Sequence, residues 1–293
     1  MKKIGIVSCD KWKNKIQEDL LLQRELIKKG RNTEIISWQD KTIDYKEYGG
    51  LILRSVWGYQ DYYKEFKNWL LFIKANNITL FNDVVIILNN IRKDKQFEIL
   101  HNYSIPCIQT TIIKNHIDWN NLKSYGDTIV IKPIISGSGN NTYKFKLSTE
   151  SGQAQIDDSI IQKYEKLLKE PDNGLIIQPF IPSIKNGEYA CVFIDGINTH
   201  NMLRFPGVFS EKKHPYYLTK VPKSVLELAK SVSILPEFEG YLFMRVDIIV
   251  YNDRPYIMEV ELAEPDLLVK YIDDKAIQQK VLNIWVKKIE GRI

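Results

Sequence analysis

The stretch from Tyr241 to Pro265, YLFMRVDIIVYNDRPYIMEVELAEP, constrains this chain more than any other. Apolar and polar residues alternate on either side of Asn252, Asp253 and Arg254, and Pro255 follows where a missing N–H is tolerated, so the segment reads as a β-hairpin. With a three-residue loop, Tyr251 faces Pro255, which sets Asp247 opposite Glu259 and Arg245 opposite Glu261 on one face. The other face then carries Val246, Ile248, Val250, Tyr256, Met258, Val260 and Leu262 and is the core side. A slip of one residue would bury the charges, so the register is fixed. Facing carboxylates repel, and an oxygen-only donor set without nearby His or Cys suits a hard cation, Mg²⁺ or Mn²⁺, held together with substrate phosphates. The alternative is a solvated acidic face neutralised by Arg245, as antiparallel sheets commonly present.

The 293 residues exceed what one typical core holds, and two or three domains are expected. We place divisions at 1–90, 91–180 and 181–293, since after Ile105 the pattern changes to strands separated by longer polar connections. The net charge of +5 is dispersed, which argues against a nucleic-acid binder and suits a small anionic ligand. Cys9, Cys107 and Cys191 lie far apart without Cys-x-x-Cys spacing, so neither a disulfide framework nor a zinc knuckle is expected. Polar residues interrupt the apolar run near the N-terminus, so no signal peptide or membrane span is expected, and the chain reads as cytoplasmic.

Lys3 to Cys9, Thr33 to Trp38 and Gly50 to Arg54 read as strands around a helix over 16–29 that ends before Gly30, a small parallel α/β unit. Ligands of such units gather beyond the carboxyl ends of the strands, where Arg54 and Ser55 stand. The Arg54 fork at a strand end suits a substrate carboxylate, and an ordinary surface Arg is the alternative. Thr128 to Ile135 is an apolar strand carrying Lys132, an ammonium that must reach an edge or meet an anion. Gly137, Ser138, Gly139 and Asn140 follow it. Small residues after a strand let backbone N–H groups approach a phosphate, although the string is neither a Walker A motif nor a Rossmann fingerprint, and a flexible hairpin tip fits it too. Gly174 to Phe180 is a further strand leading into a stiff Pro-flanked connection. Glu188 to Asp195 and Thr199 to Phe205 form a second hairpin around Asp195 and Gly196.

Taken in order, LRSVWGY (53–59), KDKQFEIL (93–100), IVIKPIISGSGNN (129–141), LIIQPFIP (175–182), GEYACVFIDG (187–196), HNMLRFPG (200–207), RVDIIV and MEVELAEP resemble the ATP-grasp superfamily. The likeness is to its prokaryotic glutathione-synthetase-like and cycloserine-biosynthesis ligases, over nearly the whole length. The resemblance implies an α/β (α+β) ATP-grasp fold: an N-terminal Rossmann-like pre-ATP-grasp domain, a small lid, and a C-terminal antiparallel-sheet domain carrying the metal site. It implies that Lys95 and Lys132 bind ATP phosphates beneath the 137–141 loop, that Gln178, Phe180 and Ile181 line the adenine, and that Glu188 lies near the ribose or base. Arg204 would meet the transferred phosphoryl with Arg245 beside it, and Asp247, Glu259 and Glu261 would hold Mg²⁺. The implied activity is an ADP-forming carboxylate–amine ligase acting on a small carboxylate and an amine, such as an amino acid or small peptide, with ring closure within one molecule included. A small-molecule kinase and a catalytically silent ATP-binding regulator are the alternatives. The chain departs from its relatives at Glu261, where many carry Asn; at Gly58, where an Asp often follows the Trp; and over 207–221, where their Arg-bearing acidic loop is missing.

Overall fold

The computed structural model describes residues 2–137, 139–147, 156–205 and 216–293. Three sheets organise it. The first is parallel, β1 (Lys3–Ser8), β2 (Thr33–Ser37), β3 (Tyr48–Leu53) and β4 (Leu80–Phe81) in the order β2-β1-β3-β4. Its helices are α1 (Gln17–Lys28) and α2 (Tyr63–Ala75), and α2 buries Phe66, Trp69, Leu70 and Ile73, the i, i+3, i+4, i+7 stripe of an amphipathic helix. These aromatics pack as core, with Phe66 stacked on Trp69.

Helices α3 (Val84–Asn90) and α4 (Lys93–Asn102) lead to a second, antiparallel sheet of β5 (Thr111–Ile113), β6 (Thr128–Pro133), β7 (Tyr143–Lys146) and β8 (Leu175–Pro179), ordered β5-β8-β6-β7. It is backed by α5 (Asp158–Leu168). Tyr164 of α5 is fully buried, and its hydroxyl lies 2.8 Å from the Ile131 carbonyl and 2.9 Å from that of Asn141. One side chain therefore ties the helix to β6 and to Asn141.

The third sheet is antiparallel: β9 (Glu188–Ile194), β10 (Ile197–Arg204), β11 (Tyr216–Leu218), β12 (Phe243–Tyr251) and β13 (Arg254–Glu261), ordered β11-β10-β9-β12-β13. The β9–β10 turn is Asp195–Gly196 as expected, both residues at positive φ. One face of this sheet packs on α6 (Lys223–Ser233), and part of the other packs on α7 (Lys275–Glu290) through Trp285.

The edge strand β13 is capped by side-chain amides. Asn90 donates to the Val260 carbonyl and accepts from Leu262 N–H, while Gln96 donates to the same carbonyl and accepts from Val260 N–H. Farther along, Ile108 N–H and Ile257 N–H pair with the Ile257 and Pro106 carbonyls. The exposed ladder groups of an edge are thereby used up, and the segment through Ile108 is fastened to β13.

The central hairpin differs from expectation at its turn. Only Asn252 and Asp253 form the loop, both at positive φ, so Tyr251 faces Arg254 and not Pro255. An extra residue at Met258, a β-bulge, restores the register, and Asp247 still faces Glu259 and Arg245 still faces Glu261. The bulge also corrects the face assignment: Ile257 joins Val246, Ile248, Val260 and Leu262 in the core, whereas Tyr256 and Met258 turn to the opposite face beside Ile249 and Ile181.

His200 on β10 is buried at 5% exposure; its Nε2 donates to the Leu267 carbonyl at 2.7 Å, and Nδ1 accepts from Thr199 Oγ1 at 2.9 Å. Burial holds the ring neutral and its pKa is lowered to about 4. Below pH ~6.5 the unfolded chain binds a proton that the folded chain refuses, so stability falls as pH drops from ~6.5 towards 4. In urea unfolding over that interval, the wild type is expected to lose about 3 kcal/mol more than His200→Gln. Parallel losses in the two proteins would show that His200 does not set the acid limit.

Candidate active site

Hairpin register and strand order bring six charged residues onto one face of the third sheet. Glu188 lies opposite Arg204, Arg245 opposite Glu261, and Asp247 opposite Glu259. Carboxylate oxygens of Asp247, Glu259 and Glu261 lie within 4.8 Å of one another.

Three cations answer these acids. Arg245, 2% exposed, donates from Nε to Asp247 Oδ1 at 2.9 Å, from Nη2 to Glu261 at 2.5 Å, and from Nη1 to the Asp266 carbonyl at 2.8 Å. Its fork is thus occupied by the Asp247 and Glu261 carboxylates and the Asp266 carbonyl. Arg204 reaches Asp247 at 2.7 Å and Glu188 at 2.5 Å from the other side and is more open. The third cation is Lys93, buried and ion-paired with Glu259.

This corrects the sequence expectation for α4. Lys95 sits on the exposed side of the helix, paired with Glu98 at 2.7 Å. Lys93 shares the inward face with Phe97 and Leu100, spacings of four and seven that put them on one stripe.

Lys132 on β6 faces the cleft from the second sheet and makes no ion pair among the described residues. Burial, then the charge of Lys93, lowers its pKa to about 8. On Glu259 burial acts upward, but Lys93 and Lys132 outweigh it and hold the carboxyl at about 2. Glu261 is pushed up to about 7, by burial first, against the pull of Arg245. The cleft thus has one strongly ionised acid, one poised acid and one unpaired ammonium, which suits a dication and a polyanion arriving together.

Between the second and third sheets the cleft has an apolar end lined by Ile108, Phe180, Ile181, Ile184 and Met258, with Gln178, Lys132 and Glu188 beside it. Gln178 is buried and donates to Thr110 Oγ1 at 2.8 Å; Lys144 lies over the Phe180 ring at 3.6 Å. Thr142, just past the 137–141 loop, also lines this cleft. Gly139 has φ +72 and Asn140 is exposed, whereas Ser138 lies outside the described residues, as does 207–215 of the departing 207–221 segment. Gly137 packs tightly on Gln60 of the first unit, whose Nε2 a Cβ at that position would strike.

Arg54 and Ser55 are brought elsewhere. Arg54, 3% exposed, pairs with Glu18 at 2.5 Å, lies 3.5 Å from Asp19, donates to the Pro265 carbonyl, and stacks over Phe243 and Trp285. Ser55 donates to Asp19 at 2.5 Å and contacts Ser8. The fork is filled by two acids from α1, so it does not offer itself to a substrate carboxylate. The adjacent Glu18 and Asp19 inside a helix facing a strand end were the signal, since acids at such a position require a buried cation.

Residues 4–82 match the family model of the D-cycloserine synthetase DcsG N-terminal domain. The cycloserine biosynthesis protein DcsG of Streptomyces lavendulae is 23% identical over 274 residues, 85% of this chain and 87% of that protein. The crystal structure of D-cycloserine synthetase DcsG superposes with a TM-score of 0.78 at 18% identity, covering 99% of both chains. The chain has the ATP-grasp fold. Among solved ATP-grasp relatives, D-alanine–D-alanine ligase from Bacillus anthracis complexed with ATP matches with a TM-score of 0.67 at 17% identity, covering 100% of this chain and 99% of that one. In sequence and in fold the chain is thus similar to these cycloserine-biosynthesis proteins. No helix among its described residues is long and apolar enough to cross a membrane.

Proposed function

We propose that this ATP-grasp protein is an ADP-forming ligase that activates a small carboxylate as an acylphosphate for attack by an amine, either on a second molecule or within the same one. The observation that carries the reading is the convergence of Asp247, Glu259 and Glu261 beside Lys93, Lys132 and Arg204 at the mouth of an apolar pocket. A carboxylate is a poor acyl donor until one oxygen becomes a leaving group, and phosphorylation achieves this. The step needs positioning and charge neutralisation more than a protein nucleophile.

In this reading Ile181, Phe180 and Met258 clasp the base beside Gln178, while Lys93 and Lys132 hold phosphate oxygens under the 137–141 loop. Arg204 reaches the transferred phosphoryl group. The oxygen-only donor set of Glu259 and Glu261, with Asp247 behind them, fits Mg²⁺, which when bound would offset charge on the phosphates. Arg245 keeps those carboxylates aligned. We retain the division at 90 and 180, with the second sheet as lid.

The test is ADP release from Mg-ATP with pools of amino acids and dipeptides, products being identified by mass. A condensation or ring product supports the ligase reading; a stable phosphorylated product would replace it with a kinase, and tight ATP binding without ADP from any pool would favour a regulator. Within the same assay Lys93→Ala is expected to raise the KM for ATP at least about tenfold, as loss of a charge-assisted phosphate contact does, while Lys95→Ala stays within twofold. The reverse ranking would return the phosphate role to Lys95.

A further inference from the structure

The second sheet has two unlike faces. Ile129, Ile131 and Ile177 pack into a core with Tyr164 of α5, so Val130, Lys132 and Gln178, one residue out of phase, line the cleft. Val130 and Gln178 are register partners on neighbouring strands. Gln178 is only 4% exposed. An amide donates at one end and accepts at the other, so the end that faces the cavity decides what the cavity recognises.

Thr110, just before β5, fixes that choice. Its Oγ1 lies 2.7 Å from the Ile108 carbonyl oxygen. A carbonyl only accepts, so the single hydroxyl proton is committed there, and Oγ1 has lone pairs alone to offer Gln178 at 2.8 Å. Gln178 must therefore turn its NH₂ group towards Thr110. Its oxygen is left without a partner among the described residues, on a side chain that lines the cavity. Ile108 is itself anchored, its N–H donating to the Ile257 carbonyl of β13 at 3.1 Å, so the relay has a fixed end. A buried acceptor left open in this way favours a ligand that brings a donor and penalises one that brings a second acceptor.

We propose that Thr110 sets which purine the cleft accepts. It is a positioning residue: through the Gln178 oxygen it favours a 6-amino purine, which donates an N–H to that oxygen, over a 6-oxo purine, which presents another oxygen to it. Without the Thr110 hydroxyl the amide is free to turn over and answer either base. The inference rests on the reading that a nucleotide base occupies the apolar end of the cleft, but it requires no turnover.

The experiment is calorimetric titration of the full chain with Mg-ADP and with Mg-IDP, which differ at the purine 6-position, with circular dichroism as the check of folding. Wild type is expected to favour ADP at least about tenfold. Thr110→Val and Thr110→Ala both remove the hydroxyl, so one folded variant suffices, and either is expected to bring the two affinities within about threefold, while Thr110→Ser keeps the preference. The double variant Thr110→Val/Gln178→Glu is expected to restore it, because a carboxylate accepts at both ends whichever way it turns. Equal affinities in wild type would overturn the assignment, as would an undiminished preference in the variants lacking the hydroxyl. So would a double variant that still binds both nucleotides alike, since the loss would then reflect a loosened pocket. If wild type binds neither nucleotide, the base-pocket reading itself fails and the role of Thr110 falls with it.

Discussion

Replacing Glu259 by Gln is expected to lower substrate-dependent ADP formation by at least about a hundredfold while leaving the fold unchanged. The substitution keeps the volume and removes the negative charge that Lys93 and Lys132 hold ionised. An amide oxygen is a weaker ligand for a hard cation, and Lys93, now without its partner, becomes a buried ammonium beside Lys132. The check is a pair of measurements, turnover against Mg²⁺ concentration and the melting temperature of the purified variant. A loss that raised Mg²⁺ recovers in part would mark Glu259 as a metal ligand. Turnover within a few-fold of wild type would remove it from the site, and a collapse of the melting temperature would assign the loss to folding instead.

Arg54→Leu is expected to destabilise the protein by about 3–5 kcal/mol, the range for removing one partner of a buried ion pair. Glu18 and Asp19 would remain with 0% and 2% exposure and no guanidinium between them. Leucine preserves part of the packing against Phe243 and Trp285, so the loss reports charge more than volume. Urea unfolding at pH 7 measures it, and the double variant Arg54→Leu/Glu18→Gln is expected to recover part of the stability. A single-variant loss below about 1 kcal/mol would mean that the acids find another counter-charge.

Much of this could be read from sequence because the period of a strand is short and strict. The alternation over 243–261 put Asp247, Glu259, Arg245 and Glu261 on one face, and the expected pairs form because the bulge at Met258 offsets a turn one residue shorter than expected; the Asp195–Gly196 turn is as expected. Helical phase was equally available for α4, where Lys93 and not Lys95 shares a stripe with Phe97 and Leu100. The fate of Arg54 was harder to see, since its partners lie 36 and 35 positions away on α1 and only the folded first unit brings them together. His200 carried no pattern at all: it acquires its environment from the 264–269 segment, a connection without periodicity.

The bulge at Met258 separates two properties that one hairpin would otherwise couple. Register between the acids is set on the inner side of the bulge, while the placing of Tyr256 and Met258 beside Ile249 and Ile181 is set on its outer side. Drawing Arg254 into the Asn252–Asp253 turn and flattening the bulge would keep Asp247 facing Glu259 but rotate Tyr256 and Met258 into the core. A change confined to a surface turn can therefore move Tyr256 and Met258 while the acids keep their partners, a freedom that a perfectly regular ladder would not allow.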